Sequence, residues 1–310
     1  MSSVNHYLLL DRIAVENANT ISSPLTYGFP ALSGFMGSIH ALNRKLVSAG
    51  FQVELSGVLV ACHQIQVQRY RPHPYADYSF NQSRKPIKRD GKTAPIIEEG
   101  KAHLTVSLVV EVSTSLIEKS NLDRAQAQFL EHCKHIVMQQ RMAGGSVQSV
   151  GTVKLFGTGA VDEVRKSLLP AFVLMDARRE LQGIMVELQD ENPDANAMDA
   201  LLEVATLRHA PVSTKENLRD WGVSSVKTGR GWLVPMPVGF QAIAPQFEPG
   251  ELQNCRAPEY PSQYVESIYS LGKWVFPHRL PPELSQCFWR YQQQDHLYLF
   301  SQTSDHQQGE

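Results

Sequence analysis

The spacing of apolar residues predicts a strand and then a helix at the start of the chain. Residues 7–15 read YLLLDRIAV, a β-prone run that stops at the polar, turn-forming segment 17–24. From Leu32 to Leu46 the apolar residues recur every three or four positions, and this spacing predicts an amphipathic helix. The helix is expected to end before Gly50, because glycine commonly follows the last helical turn.

Two strands, a second helix and a further strand are expected next. Apolar residues alternate over residues 51–68 and 102–112, which predicts two long paired strands. A helical pattern covers residues 122–142, and a strand after it is expected to reach residue 156. The resulting order is the split βαβ pattern of a ferredoxin-like or RRM-type domain, so we predict an α+β fold.

Composition divides the chain into segments of different character. The stretch at about 69–101 is too long for a simple hairpin turn, so we expect a protrusion from the core. From residue 176 to residue 220 ten acidic side chains face five basic ones among helical patterns, which predicts an acidic helical insertion. The predicted segments are an RRM-like core at 1–156, the insertion at 157–228, a strand-rich part completing the core at 229–300, and a disordered tail at 301–310.

The overall composition is that of an ordinary globular protein. The 310 residues include 29 Lys and Arg against 31 Asp and Glu, and 42% are hydrophobic, which excludes a disordered or uniformly cationic chain. Four cysteines without a CxxC pair exclude a zinc ribbon and a disulfide scaffold. The N-terminus lacks the basic start of a signal peptide, and the longest uncharged stretch is too polar to span a membrane. We therefore expect a cytoplasmic, soluble protein without a membrane partner.

The strongest local signal is the basic segment at residues 69–92. This segment contains seven basic and two acidic side chains, a net charge of +5, and four aromatic residues are interleaved with them. This mixture suits single-stranded nucleic acid, because bases stack on aromatic rings and phosphates attract the cations. A solvated loop or an edge strand protected by Lys and Arg is the plainer alternative. The basic side chains are Arg69, Arg71, Arg84, Lys85, Lys88, Arg89 and Lys92.

Two other segments have chemistry that suits a nucleic-acid backbone. Residues 17–29 carry hydroxyls and amides but no charge, and they lie just before a helix N-terminus, where the dipole favours an anion. From spacing alone, an ordinary loop with Asx and Ser turns and a helix cap explains this segment better. The sequence AGGS at residues 143–146 allows close approach of a phosphate, although a helix C-cap is the plainer alternative.

Signatures of common enzyme families are missing from the sequence. There is no Walker A motif and no GxSxG elbow, and the glycines at 157 and 159 lack the third glycine of a dinucleotide fingerprint. We therefore expect no catalytic residue, no metal and no cofactor. The alternative is a metal-free ribonuclease in which His40 acts as a general acid or base with nearby Tyr27 or Lys45.

Six separated blocks of sequence carry a resemblance to a known family, and they span residues 16 to 279. The blocks are ENANTISSPLTYGFP, GFMGSIHAL, NQSRKPIKRDGKTAPIIEEGKAHLTVSL, RMAGGSV, GWLVPMPVGFQAIAPQFEPGE and SLGKWVFPHR. In this order they resemble the second Csy subunit of type I-F CRISPR surveillance complexes.

The resemblance implies a catalytically inactive RAMP-superfamily protein with an RRM-like core and a β-hairpin thumb. It implies binding of the 5' handle of the CRISPR RNA, as a heterodimer with the large Csy subunit and beside the first copy of the backbone subunit. Target DNA would be met through the assembled complex in antiviral defence. The alternative function is a metal-free RAMP endoribonuclease that processes precursor CRISPR RNA.

Residues from the matching blocks and from the basic segment form the predicted RNA-binding site. The polar loop and the glycine loop are expected to grip the handle backbone, and the thumb cations to order the handle. The predicted RNA-binding residues are Asn17, Asn19, Ser22, Ser23, Thr26, Arg69, Arg71, Arg84, Lys85, Lys88, Arg89, Arg141, Gly144 and Gly145.

Overall fold

The computed structural model divides the chain into two units, each with strands and helices. The described residues are 3–114, 122, 125–213 and 219–302. The first unit comprises residues 1–173 and 276–288, and the second comprises residues 174–275 and 289–310. The domain boundaries expected near residues 156, 228 and 300 stay predictions.

A curled antiparallel sheet forms the first unit. The strands of this sheet are β1 (Ser3–Asn19), β2 (Glu54–Val67), β7 (Lys101–Thr114), β8 (Arg141–Met142), β9 (Gly145–Ser149) and β10 (Val153–Gly157). Four short strands between β2 and β7 form separate ladders: β3 (Arg69–Tyr70), β4 (Ser79–Phe80), β5 (Gln82–Arg84) and β6 (Ile96–Glu98). In space the order is β2, β7, β1, β9 and β8, and β10 pairs with the first half of β1. The predicted α+β class is confirmed.

The three long strands confirm the strand predicted from the β-prone run 7–15 and the two predicted from apolar alternation. Leu8 and Leu10 of β1 are fully buried and lie opposite Val110 and Leu108 of β7. The expected pairing of the second and third long strands is confirmed, although β2 begins at Glu54 rather than at residue 51. Strand β1 continues to Asn19, because its last residues still pair with β7 beyond the predicted strand end.

Helices α1 (Leu32–Ser48) and α2 (Gln126–Met138) pack against this sheet through their apolar residues. The unit also contains α3 (Val161–Ser167) and short 3₁₀ helices at Pro277–Arg279 and Leu284–Cys287. Helix α1 packs against β2 and α2, and α2 packs against β9 and β10. The prediction that a helix extends to residue 142 is wrong, because the chain turns into β8 after Gln139. The expected start of this helix lies in part outside the described residues.

The protrusion between β2 and β7 consists of two short antiparallel ladders. Strand β3 pairs with β4, and β5 pairs with β6. Between β5 and β6 the chain makes a tight turn, in which the Lys88 amide donates to the Lys92 carbonyl at 2.9 Å. We call the β3–β4 ladder with its connecting loop, residues 69–80, the distal hairpin.

The second unit contains an antiparallel sheet with two helices on it. Strand β11 (Phe172–Asp176) leads into this unit, and its further elements are α4 (Arg178–Glu191), α5 (Ala197–Ala205), β12 (Arg208–Ser213), β13 (Arg219–Ser224), β14 (Trp232–Ala242), β15 (Val265–Val275), β16 (Arg290–Gln294) and β17 (Leu297–Ser301). Strands β16, β17, β14 and β15 pair in that order. Leu181 and Ile184 of α4 pack with Leu201 of α5 on Leu233 and Leu271 of the sheet. No described helix is long and apolar enough to cross a membrane.

Two expectations for the C-terminal half can be compared with the structure. The segment 157–228 has helices α3, α4 and α5 where helical patterns were expected, and it also has β11 and the β12–β13 hairpin, which were not expected. The disordered tail is wrong for Ser301 and Gln302, which are buried. The Gln302 side chain accepts from the Asp176 amide at 2.8 Å and so fixes this end of the chain. Residues 303–310 of the predicted tail lie outside the described residues.

Candidate nucleic-acid interface

A groove of about 530 Å³ in the first unit brings together three segments that are distant in sequence. It is lined by the end of β1, the base of the protrusion and the turn between β8 and β9. The lining residues are Asn17, Asn19, Ile21, Lys85, Glu98, Glu99, Gly100, Lys101, Arg141, Gly144 and Ser146. Five of the predicted RNA-binding residues are among them.

The first wall of the groove is the polar end of β1. Asn17 has a φ of +55°, in the left-handed region that asparagine tolerates better than most residues. Its Oδ1 accepts from Gln68 Nε2 at 2.9 Å. The Asn19 side chain closes an Asx turn, accepting from the Ile21 amide at 3.1 Å and donating to the Ile21 carbonyl at 3.0 Å. Both amides are therefore held in fixed orientations at the groove.

The second wall is the glycine turn between β8 and β9. Gly144 has a φ of +80°, which glycine adopts without steric cost. A Cβ on Gly145 would lie 2.5 Å from the Glu16 carbonyl oxygen, so only glycine lets β9 approach β1 this closely. The Asn19 amide donates to the Ala143 carbonyl at 2.8 Å, and the Arg141 guanidinium donates to the Gly144 carbonyl. The turn is thus tied to the first wall.

The third wall is the base of the protrusion, where the chain returns into β7. The Thr20 amide donates to the Gly100 carbonyl at 3.0 Å, and the Gln68 amide donates to the Lys101 carbonyl at 2.8 Å. A Cβ on Gly100 would lie 2.6 Å from Ile21 Cγ1. Backbone contacts therefore fix this wall against the end of β1.

The charges of the groove are organised around one carboxylate. Glu99 accepts from Lys85 Nζ at 2.6 Å and from Lys101 Nζ at 2.8 Å, and Ser83 Oγ donates to it as well. The hydrogen bonds from Lys101, Lys85 and Ser83 lower the pKa of Glu99 to about 2. The lining holds three basic and two acidic side chains, a net charge of +1. The two lysines keep ammonium donors for a further acceptor, because each ammonium carries three.

The hydroxyl residues of the polar loop lie outside the groove lining. Ser22 Oγ and Ser23 Oγ each lie 2.7 Å from Thr26 Oγ1, and Ser23 Oγ also accepts from the Thr26 amide at 3.0 Å. These bonds satisfy the hydroxyls locally and shape the loop that follows β1. The loop presents Tyr27, which is exposed and meets Phe80 edge-to-face at 5.5 Å between ring centroids.

The remaining predicted cations lie away from the groove lining. Arg69 stacks on the Tyr78 ring at 4.0 Å and Arg71 lies 5.1 Å from the same ring centroid. Arg71 Nε also donates to the Ala76 carbonyl at 2.9 Å, so the distal hairpin uses both arginines internally. The other three, in β5 and the turn after it, are exposed. They are Arg84, Lys88 and Arg89.

Some groove residues were missed by sequence reasoning, and one predicted candidate lies elsewhere. Glu99 and Lys101 complete the charge cluster, and the acidic pair at 98–99 beside a basic stretch is the sequence signal that could have identified them. His40 is exposed on α1 and is not among the groove residues. Within the described residues no group of three His, Cys, Asp or Glu side chains forms a metal site.

Comparisons with known proteins support the resemblance found in the sequence. The family described as CRISPR-associated protein (Cas_Csy2) matches residues 8–300. A curated relative, CRISPR-associated protein Csy2 of Pseudomonas aeruginosa (strain UCBPP-PA14), is 36% identical over 300 residues, which cover 91% of this chain and 90% of the relative. The match includes all three walls of the groove. On these two findings, the chain belongs to the Csy2 family of type I-F CRISPR systems.

Proposed function

We propose that this chain is a non-catalytic subunit of the type I-F surveillance complex and that its groove binds the 5' handle of the CRISPR RNA. The observation that carries the proposal is the groove itself. Three segments that sequence chemistry had linked to nucleic acid meet there through backbone hydrogen bonds. A polar, weakly cationic groove suits single-stranded RNA, which offers both phosphates and base edges.

The three groove walls offer different kinds of contact to an RNA strand. The Arg141, Lys85 and Lys101 side chains supply charged donors for phosphate oxygens. The glycine turn allows a phosphate to approach the backbone closely, and the amides of Asn17 and Asn19 offer hydrogen bonds to sugar hydroxyls or bases. The exposed cations beyond the groove extend the positive surface along the strand.

The fold that carries the groove fits a RAMP protein. The chain order is β1, α1, β2, β7, α2 and then β9 with β10, and the spatial order of the long strands is β2, β7, β1, β9. This order supports the proposed RAMP-type core, for which a split βαβ unit is expected. The protrusion between β2 and β7 has the position expected for the thumb.

The proposal includes partners within the Csy complex. They are the large Csy subunit as heterodimer partner, the first copy of the backbone subunit, and target DNA met through the assembled complex. Membership of the family supports other Csy subunits as partners. The second unit also exposes apolar and aromatic side chains, which are common at the centres of protein interfaces. Ile243 and Tyr260, for example, are 60% and 62% exposed.

Titration of a labelled handle RNA into the chain, co-purified with the large subunit, tests the proposal. We expect the handle to bind more tightly than a scrambled RNA of equal length. Replacing Arg84→Ala together with Arg89→Ala should weaken binding and flatten the salt dependence by about 0.7 units per lost phosphate contact. An unchanged affinity and slope would refute the thumb assignment, and equal binding of both RNAs would refute handle recognition.

The same preparation separates binding from catalysis. Incubated with repeat-containing RNA in chelator, the chain is expected to leave the RNA intact. Specific scission that disappears in His40→Ala would instead establish the metal-free endoribonuclease.

A further inference from the structure

A second pocket, of about 210 Å³, lies on the sheet of the first unit next to the groove. We call it the amide pocket, because three glutamines contribute to its walls. Its lining residues are Ala14, Val15, Glu16, Gln64, Gln66, His103, Leu104, Thr105 and Gln148. No Lys or Arg is among these described lining residues, so the pocket lacks the charged donors of a phosphate site.

The register of the strands places the polar side chains on one face. Thr105 of β7 lies opposite Ala14 of β1 and Gln64 of β2, and His103 lies opposite Gln66. Val15 and Leu104, which alternate with them, are buried. Because successive side chains of a strand point to opposite faces, the polar residues form the exposed side of the sheet here.

Several polar groups of the amide pocket are available for a ligand. Gln64 and Gln66 are exposed, and each carries both a donor and an acceptor. His103 Nε2 lies within hydrogen-bond distance of Gln68 Nε2, at 2.9 Å. Nδ1 is buried and has no hydrogen-bond partner among the described residues. The polar groups that the pocket offers to a ligand are therefore the exposed glutamine amides.

The amide pocket continues the groove directly. Gln68 Nε2 donates to Asn17 Oδ1 at 2.9 Å and also contacts His103, so one amide joins a groove residue to a pocket residue. Glu16, which precedes Asn17, lines the pocket and accepts from Gln148 Nε2 at 3.2 Å. An RNA strand that leaves the groove past Asn17 would therefore reach the amide pocket at Glu16, the neighbouring residue of β1.

We propose that the amide pocket binds one base of the RNA strand held in the groove, and that this base carries an exocyclic amino group. This inference rests on the proposed handle binding. Sequence-specific recognition of single-stranded RNA uses splayed bases hydrogen-bonded along their edges, and glutamine amides match those edges. The Glu16 carboxylate accepts hydrogen bonds only, which favours the amino groups of cytosine, adenine or guanine over the carbonyl of uracil.

A scan of the handle RNA with the 310-residue chain, co-purified with the large subunit, tests this assignment. Each nucleotide is replaced in turn by uridine or by an abasic nucleotide, and affinity is measured for the unaltered chain, for Gln64→Ala with Gln66→Ala, and for Gln128→Ala. Gln128 is an exposed glutamine on α2 and serves as the matched control.

We expect one position at which uridine and the abasic nucleotide each weaken binding to the unaltered chain by about tenfold. The double variant should lose about as much on the parent RNA and nothing further at that position, while Gln128→Ala behaves like the unaltered chain. An equal loss at every position, or no loss, would overturn the base pocket. A double variant that binds RNA normally but no longer co-purifies with the large subunit would assign the pocket to protein contact. Failure of the unaltered chain to bind any handle RNA would instead refute the proposed function.

Discussion

The groove and the distal hairpin both carry arginine or lysine beside polar groups, but they hold these cations differently. In the hairpin, Arg69 and Arg71 are used by Tyr78 and by backbone carbonyls of the same loop. In the groove, Lys85 and Lys101 share the carboxylate of Glu99, which fixes two ammonium groups side by side. The density of positive charge along the sequence is therefore similar in two regions that differ in structure. The proposed site is the groove, because its cations lie beside a glycine turn and polar amides and keep donors for a further acceptor.

The largest effect is expected from closing the space between β1 and β9. A Cβ at residue 145 would lie 2.5 Å from the Glu16 carbonyl oxygen and 2.7 Å from the Ala18 amide nitrogen, so Gly145→Val forces the two strands apart. Such overpacking typically costs about 1–3 kcal/mol, and two groove walls would separate. Thermal unfolding and handle titration should show lower stability and the largest loss of affinity in this series.

Gly159→Val is the control for that change, because a Cβ at Gly159 meets no atom within 4 Å. We expect it to leave both handle affinity and melting temperature close to those of the unaltered chain. Normal handle binding by Gly145→Val would show that the apposition of β1 and β9 is not needed for the site.

The second-largest effect is expected when two positive charges are removed from the groove, and the same loss of charge in the distal hairpin serves as the comparison. Lys85→Ala with Arg141→Ala removes two groove cations and should weaken handle binding by about tenfold or more, with a salt slope flatter by about 1.4 units. Arg69→Ala with Arg71→Ala removes the same charge from the distal hairpin, and about a threefold loss is expected. Anisotropy titrations at several salt concentrations measure both. Equal losses from the two pairs would mean that only total charge matters.

The smallest effect concerns the carboxylate that holds the groove lysines together. Glu99→Gln removes its charge, so the lysines lose their fixed positions while the groove becomes more cationic. These changes oppose each other, and we expect about a twofold to threefold change in handle affinity with a steeper salt dependence. The variant should also bind the handle with less preference over scrambled RNA. An unchanged preference would show that Glu99 does not hold the two lysines in position.

The same variant tests how the stability of the unaltered chain depends on pH through Glu99. The pKa of Glu99 is lowered from 4.5 to about 2, so its ionised form is favoured in the folded chain. The stabilisation is complete above pH 4.5 and is lost as pH falls towards 2. Denaturant unfolding should therefore show a stability difference between the unaltered chain and Glu99→Gln at neutral pH that shrinks over this acid range.

Local periodicity predicted the parts of the fold that depend on nearby residues. The β-prone run of β1, the apolar alternation of β2 and β7 and the apolar stripe of α1 are visible in short windows, and the structure confirms these four elements. The β12–β13 hairpin was not predicted, because its short strands give weak alternation beside helical patterns. The end of α2 was placed too late, because Met142 continues the apolar spacing although the chain has already turned into β8.

The candidate site was predictable only in pieces. Asn17, Arg141 and Gly144 were found through residue chemistry and the family motifs. Their meeting in one groove depends on the pairing of β1 with β9 and β7, which joins residues distant in sequence and which no local pattern encodes. The pairing of Glu99 with Lys85 and Lys101 was not predicted, because these lysines come from the two sides of the protrusion.

Photo-crosslinking of a 4-thiouridine-substituted handle RNA to the chain, followed by peptide mapping, shows directly whether the groove binds the handle. The groove account predicts crosslinks within residues 17–21, 82–101 and 141–146, which Lys85→Ala with Arg141→Ala should reduce. Crosslinks confined to the distal hairpin, or to peptides outside the first unit, would contradict the assignment of the groove as the handle-binding site.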